Sequence, residues 1–181
     1  MKMNLLSGIV VVIFVAAFLL SLGMTAWAGG KDAQAAEQAS MIRLPAPSTS
    51  GGTPLVQAIA ARRSVRAYDG KPVPLAALSQ LLWAAQGVTQ QAPKAPATWN
   101  AKWGEWRGGL RAAPSAGALF PLEIYVLATS VDGLERGLYR YIPAEHALVR
   151  AGSVSVTAKD LMQAAFMQQD IAQAPVAVMI T

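Results

Sequence analysis

Apolar residues recur at helical spacing in two places early in the folded region. After Thr53-Pro54, residues Leu55, Val56, Ile59 and Ala60 fall on one side of a helix. Thr53 is placed to cap that helix. Pro54 is placed in its first turn, where a missing N–H does no harm. The run closes near Arg62-Arg63, where cations suit the negative end of a helix dipole. Ser64 to Tyr68 reads as extended, and Asp69-Gly70 as a turn. A second helix opens at Lys71-Pro72-Val73-Pro74. It carries Leu75, Leu78, Leu81, Leu82 and Ala85 as a buried stripe and stops at Gly87.

The periodicity then lapses. Val88 to Ala113 holds Pro93, Pro96, Gly104, Gly108 and Gly109, and reads as a long loop, either functional or disordered. Ala113 to Pro121 is a tight turn of small residues. It leads into Leu122 to Ala128, a strand apolar enough to be buried on both faces. Gly137 to Ile142 and Ala147 to Arg150 flank Pro143-Ala144-Glu145-His146 as a hairpin. Thr157 to Met167 forms a helix whose Thr157 and Asp160 have capping-box spacing. Pro175 to Ile180 is a last apolar strand, and the sequence ends one residue later at Thr181.

Composition adds the N-terminal organisation. The 181-residue chain is 54% hydrophobic, above the ~45–50% of ordinary globular chains. Part of the excess lies in Met1 to Ala28: Lys2, an apolar core from Ile9 to Leu20, then Ala26-Trp27-Ala28. That order is expected of a secretory signal peptide over 1–28 and a periplasmic destination. An uncleaved anchor in the inner membrane is the other reading. The n-region has no twin-arginine pair, so export of a folded, cofactor-loaded protein is not supported. Cleavage would remove Lys2 and lower the net charge from +5 to +4. Residues 29–52, rich in Ala, Gln, Ser, Pro and Gly, read as a flexible linker to a single domain over 53–181. Basic residues are scattered outside Arg62, Arg63 and Arg66, without a base-reading aromatic stripe, which argues against nucleic acid as a partner. The chain has no cysteine, so disulfide and thiolate chemistry are excluded.

Two segments carry candidate chemistry. Arg62, Arg63, Ser64 and Arg66 place three guanidiniums and a hydroxyl within five residues. Arginine's planar fork suits phosphate oxygens. Pro114, Ser115 and Ala116 open the small-residue turn, where backbone could approach a planar ligand closely. Each motif alone is common in helix ends and loop-to-strand connections.

Their succession is more specific. The order is a helix, Arg62-Arg63-Ser64-Val65-Arg66-Ala67-Tyr68, a Pro-rich turn, Leu81-Leu82-Trp83-Ala84-Ala85-Gln86-Gly87, a loop, Ala113-Pro114-Ser115, then a buried strand. It resembles the nitroreductase-like, FMN-dependent oxidoreductases from about Thr53 to Thr181. Gly137-Leu138-Tyr139-Arg140-Tyr141-Ile142 looks like the branch that contains peptide azoline oxidases. The resemblance implies an α+β fold with helices around a central, mainly antiparallel sheet. It implies FMN as cofactor, with Arg62, Arg63, Ser64 and Arg66 on its phosphate and pyrimidine edge. Pro114, Ser115 and Ala116 would approach the isoalloxazine from the other subunit of a homodimer. Ping-pong transfer between an electron donor of unassigned identity and a small-molecule or peptide substrate follows, with no side-chain nucleophile. Two departures stand out. Ala118 and Phe120-Pro121 occupy places where many members hold Asn and Gln-Pro, which shifts the expected substrate. Members also continue for a further helix and strand, so the domain is expected to be incomplete at its C-terminal end. That leaves two rival readings: a truncated, non-catalytic member, and a membrane-anchored interaction module.

The remaining features have structural readings. His146 belongs to a hairpin turn. Tyr139 and Tyr141 are cross-strand partners. Trp99, Trp103 and Trp106, three of the five tryptophans, anchor a loop or form a lid over the flavin. No spacing supports a metal site, a P-loop or a nicotinamide-binding fingerprint.

Overall fold

A computed structural model describes residues 9–13 (backbone only), 40–91, 109–151 and 156–181. The Ala26-Trp27-Ala28 pattern, linker residues 29–39 and Trp99, Trp103 and Trp106 lie outside them. The sheet is built around β5 (Ile124–Ala128). On one side lie β6 (Gly137–Ile142), β7 (Ala147–Arg150) and β2 (Ile42–Arg43), each antiparallel to its neighbour. On the other side lies β8 (Val176–Ile180), antiparallel to β5 with Val126 opposite Val178. The backbone of β1 (Ile9–Ile13) runs parallel along β8, so the order is β1-β8-β5-β6-β7-β2. This strand lies in the stretch expected to be a signal peptide. Among the described residues no helix is long and apolar enough to cross a membrane.

Strand side chains alternate between two apolar layers. Ile124, Val126 and Ala128 face one layer with Tyr139, Leu148, Val176 and Val178. That layer is covered by helix α2 (Leu75–Gln86), whose Leu78 and Leu82 are fully buried. Leu127 and Ala177 face the opposite layer, covered by Leu161 and Ala165 near α3 (Ala158–Ala164) and Ile171 of α4 (Gln169–Gln173). The strand expected over 122–128 is buried on both faces only from Ile124 to Ala128, where helices cover both sides; it begins two residues later than expected, and Leu122 is exposed. The architecture is α+β with a mainly antiparallel sheet, as the motifs implied.

Several local expectations are corrected. Thr53 does not cap the first helix, α1 (Leu55–Ala61). Pro54 holds the N-cap position, and no side chain bonds to the cap there. The apolar face of α1 is not buried by the described residues: Leu55, Val56 and Ile59 are 75%, 77% and 66% exposed. The stretch after Gly87 is not wholly loop. β3 (Val88–Gln90) and β4 (Leu110–Arg111) pair as a short antiparallel ribbon. The helix expected over 157–167 has the capping box but ends at Ala164. Phe166 and Met167 then take positive φ, and Met167 N donates to Met162 O at 3.0 Å. This closure sends the chain back into α4, which buries Ile171 beside Leu161.

Residues 42–48, read as part of a flexible linker, are docked. Ile42 and Arg43 pair with Leu148 and Ala147, and Leu44 is buried. Ser48 exchanges two hydrogen bonds with the Gln80 side chain, at 2.7 and 3.2 Å.

Candidate functional site

The arginine segment begins where α1 ends. Its last turn has no basic residue, so the orphan carbonyls are met from beyond the helix. Arg63 folds back, and its Nη1 donates to Ala60 O at 3.1 Å and Arg62 O at 2.7 Å. Arg62 is the C-cap and has extended backbone, φ −58 and ψ 131. Arg62, Arg63, Ser64 and Arg66 are all exposed. Among the described residues, Arg62 and Arg63 form no ion pair, and the Ser64 hydroxyl makes no hydrogen bond. Arg66 Nε lies 3.9 Å from Asp170 Oδ2 on α4, a long pair between an exposed guanidinium and a half-buried carboxylate, worth little by itself. It nevertheless sets the arginine segment beside α4. Tyr68 Oη is enclosed without a hydrogen-bond partner among the described residues. Burial raises the pKa of that phenol, and the Asp170 charge raises it further.

The turn is separate. Pro114 and Ala116 are exposed and Ser115 is half-buried. A single 3-10 turn spans Ala116–Ala118, with Gly117 at φ 60, a conformation in which a side chain is strained. Ser115 Oγ accepts from Phe120 N at 2.9 Å. No hydrogen bond, ion pair or ring contact among the described residues joins this turn to the arginine segment. The seven expected residues thus lie on two segments that share no direct bond among the described residues.

Sequence reasoning missed three participants. Arg111 on β4 stacks its guanidinium over Phe120, 4.5 Å from the ring centroid. Its position two residues before Ala113 was the available signal. Asp170 reaches Arg66 across 104 residues, a pairing that spacing cannot reveal. The third is a network around His146. Its Nε2 lies 2.7 Å from Ser79 Oγ and 3.1 Å from Pro45 O, and its Nδ1 lies 2.8 Å from Tyr141 Oη. Ser79 Oγ donates to Pro45 O at 2.6 Å. The Ser79 proton is thus committed, so Nε2–H donates to Ser79 and Nδ1 accepts from Tyr141 O–H. Burial lowers the His146 pKa against the opposing pull of the Pro45 carbonyl. Burial also pushes the Tyr141 phenol up to about 12, opposed by the Arg111 charge. Serine beside histidine is the geometry of an activated nucleophile. Here Ser79 has no exposed surface and no proton to surrender. The network is a clasp that ties residues 42–48 to α2 and the hairpin.

Among the described residues, no group of His, Asp or Glu side chains could hold a metal. The donor chemistry fits a phosphorylated planar cofactor: three exposed guanidiniums, of which only Arg66 faces a carboxylate among the described residues, with the Ser64 hydroxyl and the Tyr68 phenol unbonded among those same residues.

Comparison with known proteins bears on these two groups. The model of the nitroreductase family matches residues 59–181, a range that contains every expected site residue. A Methanocaldococcus jannaschii protein bearing a nitroreductase assignment is 41% identical over 119 residues, which make up 66% of this chain and 52% of that one. This chain spans about half the length of that relative. A solved Ralstonia eutropha JMP134 protein with the same assignment is 34% identical, with a TM-score of 0.47, covering 63% of this chain and 44% of its own. One from Anabaena variabilis ATCC 29413 is 32% identical, with a TM-score of 0.45, covering 57% of this chain and 19% of its own.

Proposed function

Because the chain belongs to the nitroreductase family, we propose that it serves as an FMN-dependent oxidoreductase whose flavin seat is shared between two copies of the chain. The observation that carries this is the exposed run of Arg62, Ser64 and Arg66 inside the family match, with only the long Arg66–Asp170 pair on it among the described residues. Arg62 and Arg66 would hold the phosphate and the pyrimidine edge, and Ser64 would add a neutral donor. Arg63 already bonds to backbone carbonyls, so its main task is to fix the direction in which the segment leaves α1. Pro114, Ser115 and Ala116 would bring backbone close to the ring.

In a site completed by a second copy, the arginine segment of one chain would face the turn of the other. The uncovered face of α1, next to the arginine segment, supports this reading: a contiguous apolar helix face is a usual mark of a protein interface. Bound FMN would supply hydride or electron transfer, and the chain's own residues bind it, orient it and place positive charge where reduction puts negative charge. No protein nucleophile is required. The substrate is a small molecule or a modified peptide, the latter on the hairpin's likeness to the azoline-oxidase branch.

The test is steady-state kinetics of the FMN-loaded chain with a reduced nicotinamide donor and a nitroaromatic acceptor. Parallel double-reciprocal lines agree with alternating half-reactions at one site. Intersecting lines contradict the ping-pong order. Loaded protein that turns over neither these substrates nor a peptide azoline contradicts the enzyme reading.

A further inference from the structure

The turn assigned to the flavin carries two non-glycine residues in left-handed backbone, Ala118 at φ 53 and Phe120 at φ 45. A bulky residue stays in that region only where its surroundings hold it. Phe120 is held twice. Its N–H donates to Ser115 Oγ at 2.9 Å, and its ring lies 4.5 Å from the Arg111 guanidinium carbon. Arg111 is itself anchored. Its Nη1 donates to Gln86 Oε1 at 3.3 Å, and the Gln86 side chain is buried at the end of α2. The backbone beside it is tied as well, with Ala112 N donating to Gly87 O at 2.9 Å. A line of fixed groups thus runs from the core helix through Gln86 and Arg111 to Phe120.

We propose that Arg111 is a positioning residue of the flavin site: it holds the Phe120 ring and so sets the pitch of the Pro114–Phe120 turn. The flavin half of this inference rests on the function proposed above; the hold on the turn does not. Arginine suits the task because one planar group can stack on a ring and donate from its edge together. Lysine offers a point charge without that plane. Methionine offers similar length without charge or donors. The turn would otherwise relax from its left-handed residues and lose the shape that lets backbone approach a planar ring.

The test compares the full chain with Arg111→Met and Arg111→Lys, first without flavin. Hydrogen exchange is followed on the peptide spanning 113–121 and on the core strands 124–128 and 176–180. Arg111→Met is expected to speed exchange in the turn by ~10-fold or more while the core strands hold. Arg111→Lys is expected to fall between it and the parent. Unchanged exchange in the turn overturns the proposal, and so does faster exchange throughout the sheet, which marks a role in stability alone.

FMN is then titrated by its fluorescence, and the visible circular dichroism of the bound flavin is recorded. Arg111→Met is expected to weaken binding by roughly 10-fold, as loss of a few positioned contacts does, with an altered dichroic band and partial recovery in Arg111→Lys. Equal affinity with an identical band overturns the flavin role. A parent chain that binds no FMN, with exchange rising only in the turn, overturns the proposed function and the flavin role together. Arg111's hold on the turn then stands on the exchange result.

Discussion

Helices α1 and α2 look alike in sequence and have opposite fates. Each follows a proline and presents a run of Leu, Val, Ile or Ala at helical spacing. α2 buries Leu78 and Leu82 completely against the sheet. α1 buries nothing, and its three large apolar side chains lie in the open. Periodicity identifies which face of a helix is apolar, but not what covers it. For α2 the cover is the sheet of the same chain. For α1 the described residues supply no cover, and the arginine segment lies at that same edge.

The sharpest way to break this contrast is truncation on both helices. Leu82→Ala is expected to cost about 2–5 kcal/mol of unfolding free energy, as buried leucines do. Ile59→Ala is expected to change the stability of the isolated chain by less than about 0.5 kcal/mol, the range for surface sites. Urea titration of both variants decides it. An equal loss at Ile59 means that α1 is already covered.

Next in size is the His146 clasp. His146→Ala leaves the Tyr141 hydroxyl and one Ser79 acceptor site unpaired in the core, with an expected cost of about 1–3 kcal/mol. Its pH dependence has a definite sign. Burial depresses the folded-state pKa, so on acidification the unfolded chain takes up the proton first. Stability attributable to His146 is therefore complete above about pH 6.5. It falls as pH drops through that value, and levels off below the folded-state pKa. Glu145 and Arg43, paired at 3.4 Å, sit at the same hairpin, so urea midpoints should be compared between parent and His146→Asn at pH 7.5 and 5.5. A parent whose loss on acidification is no larger than the variant's contradicts the clasp.

Gly87 gives an effect of similar or smaller size. Its φ is −63, so glycine is not needed there for a left-handed turn. It is needed for space, because an added Cβ would overlap the Trp83 ring and carbonyl. Gly87→Ala is expected to cost about 1–3 kcal/mol through overpacking, with a shift in tryptophan fluorescence. An unshifted spectrum and unchanged stability mean that the ring has room to move. The smallest folding effect belongs to Ile59→Glu, which should leave the isolated chain folded but lower its self-association in sedimentation velocity. A parent chain that stays monomeric at every concentration removes the second copy as the cover of α1.

How much was legible follows from where each interaction acts. The α2 stripe, the β6–β7 hairpin, the Thr157 capping box and the β5 and β8 strands were readable because neighbours in sequence determine them. The C-terminal end of α3 and the existence of α4 were not. They depend on Ile171 finding Leu161, a tertiary gain that outweighs the positive φ at Phe166 and Met167. The docking of residues 42–48 was hidden for the same reason, since Pro45, Ser79 and His146 meet only in the fold. In the candidate site, the arginine segment and the turn were visible as motifs, but the groups that hold each in place were not. Asp170 gained relevance only from proximity, and Arg111 chiefly so.

The central claim is that Arg62 and Arg66 form a phosphate-binding edge for FMN. The direct measurement is the visible absorption spectrum of the full chain after incubation with FMN and desalting, beside an Arg62→Ala/Arg66→Ala variant. The account predicts a retained flavin spectrum in the parent. It also predicts an affinity lower by ~100-fold in the variant, as expected when two charge-assisted contacts are lost, with both proteins folded. A folded parent that emerges colourless, or a variant that retains flavin as well as the parent, contradicts it.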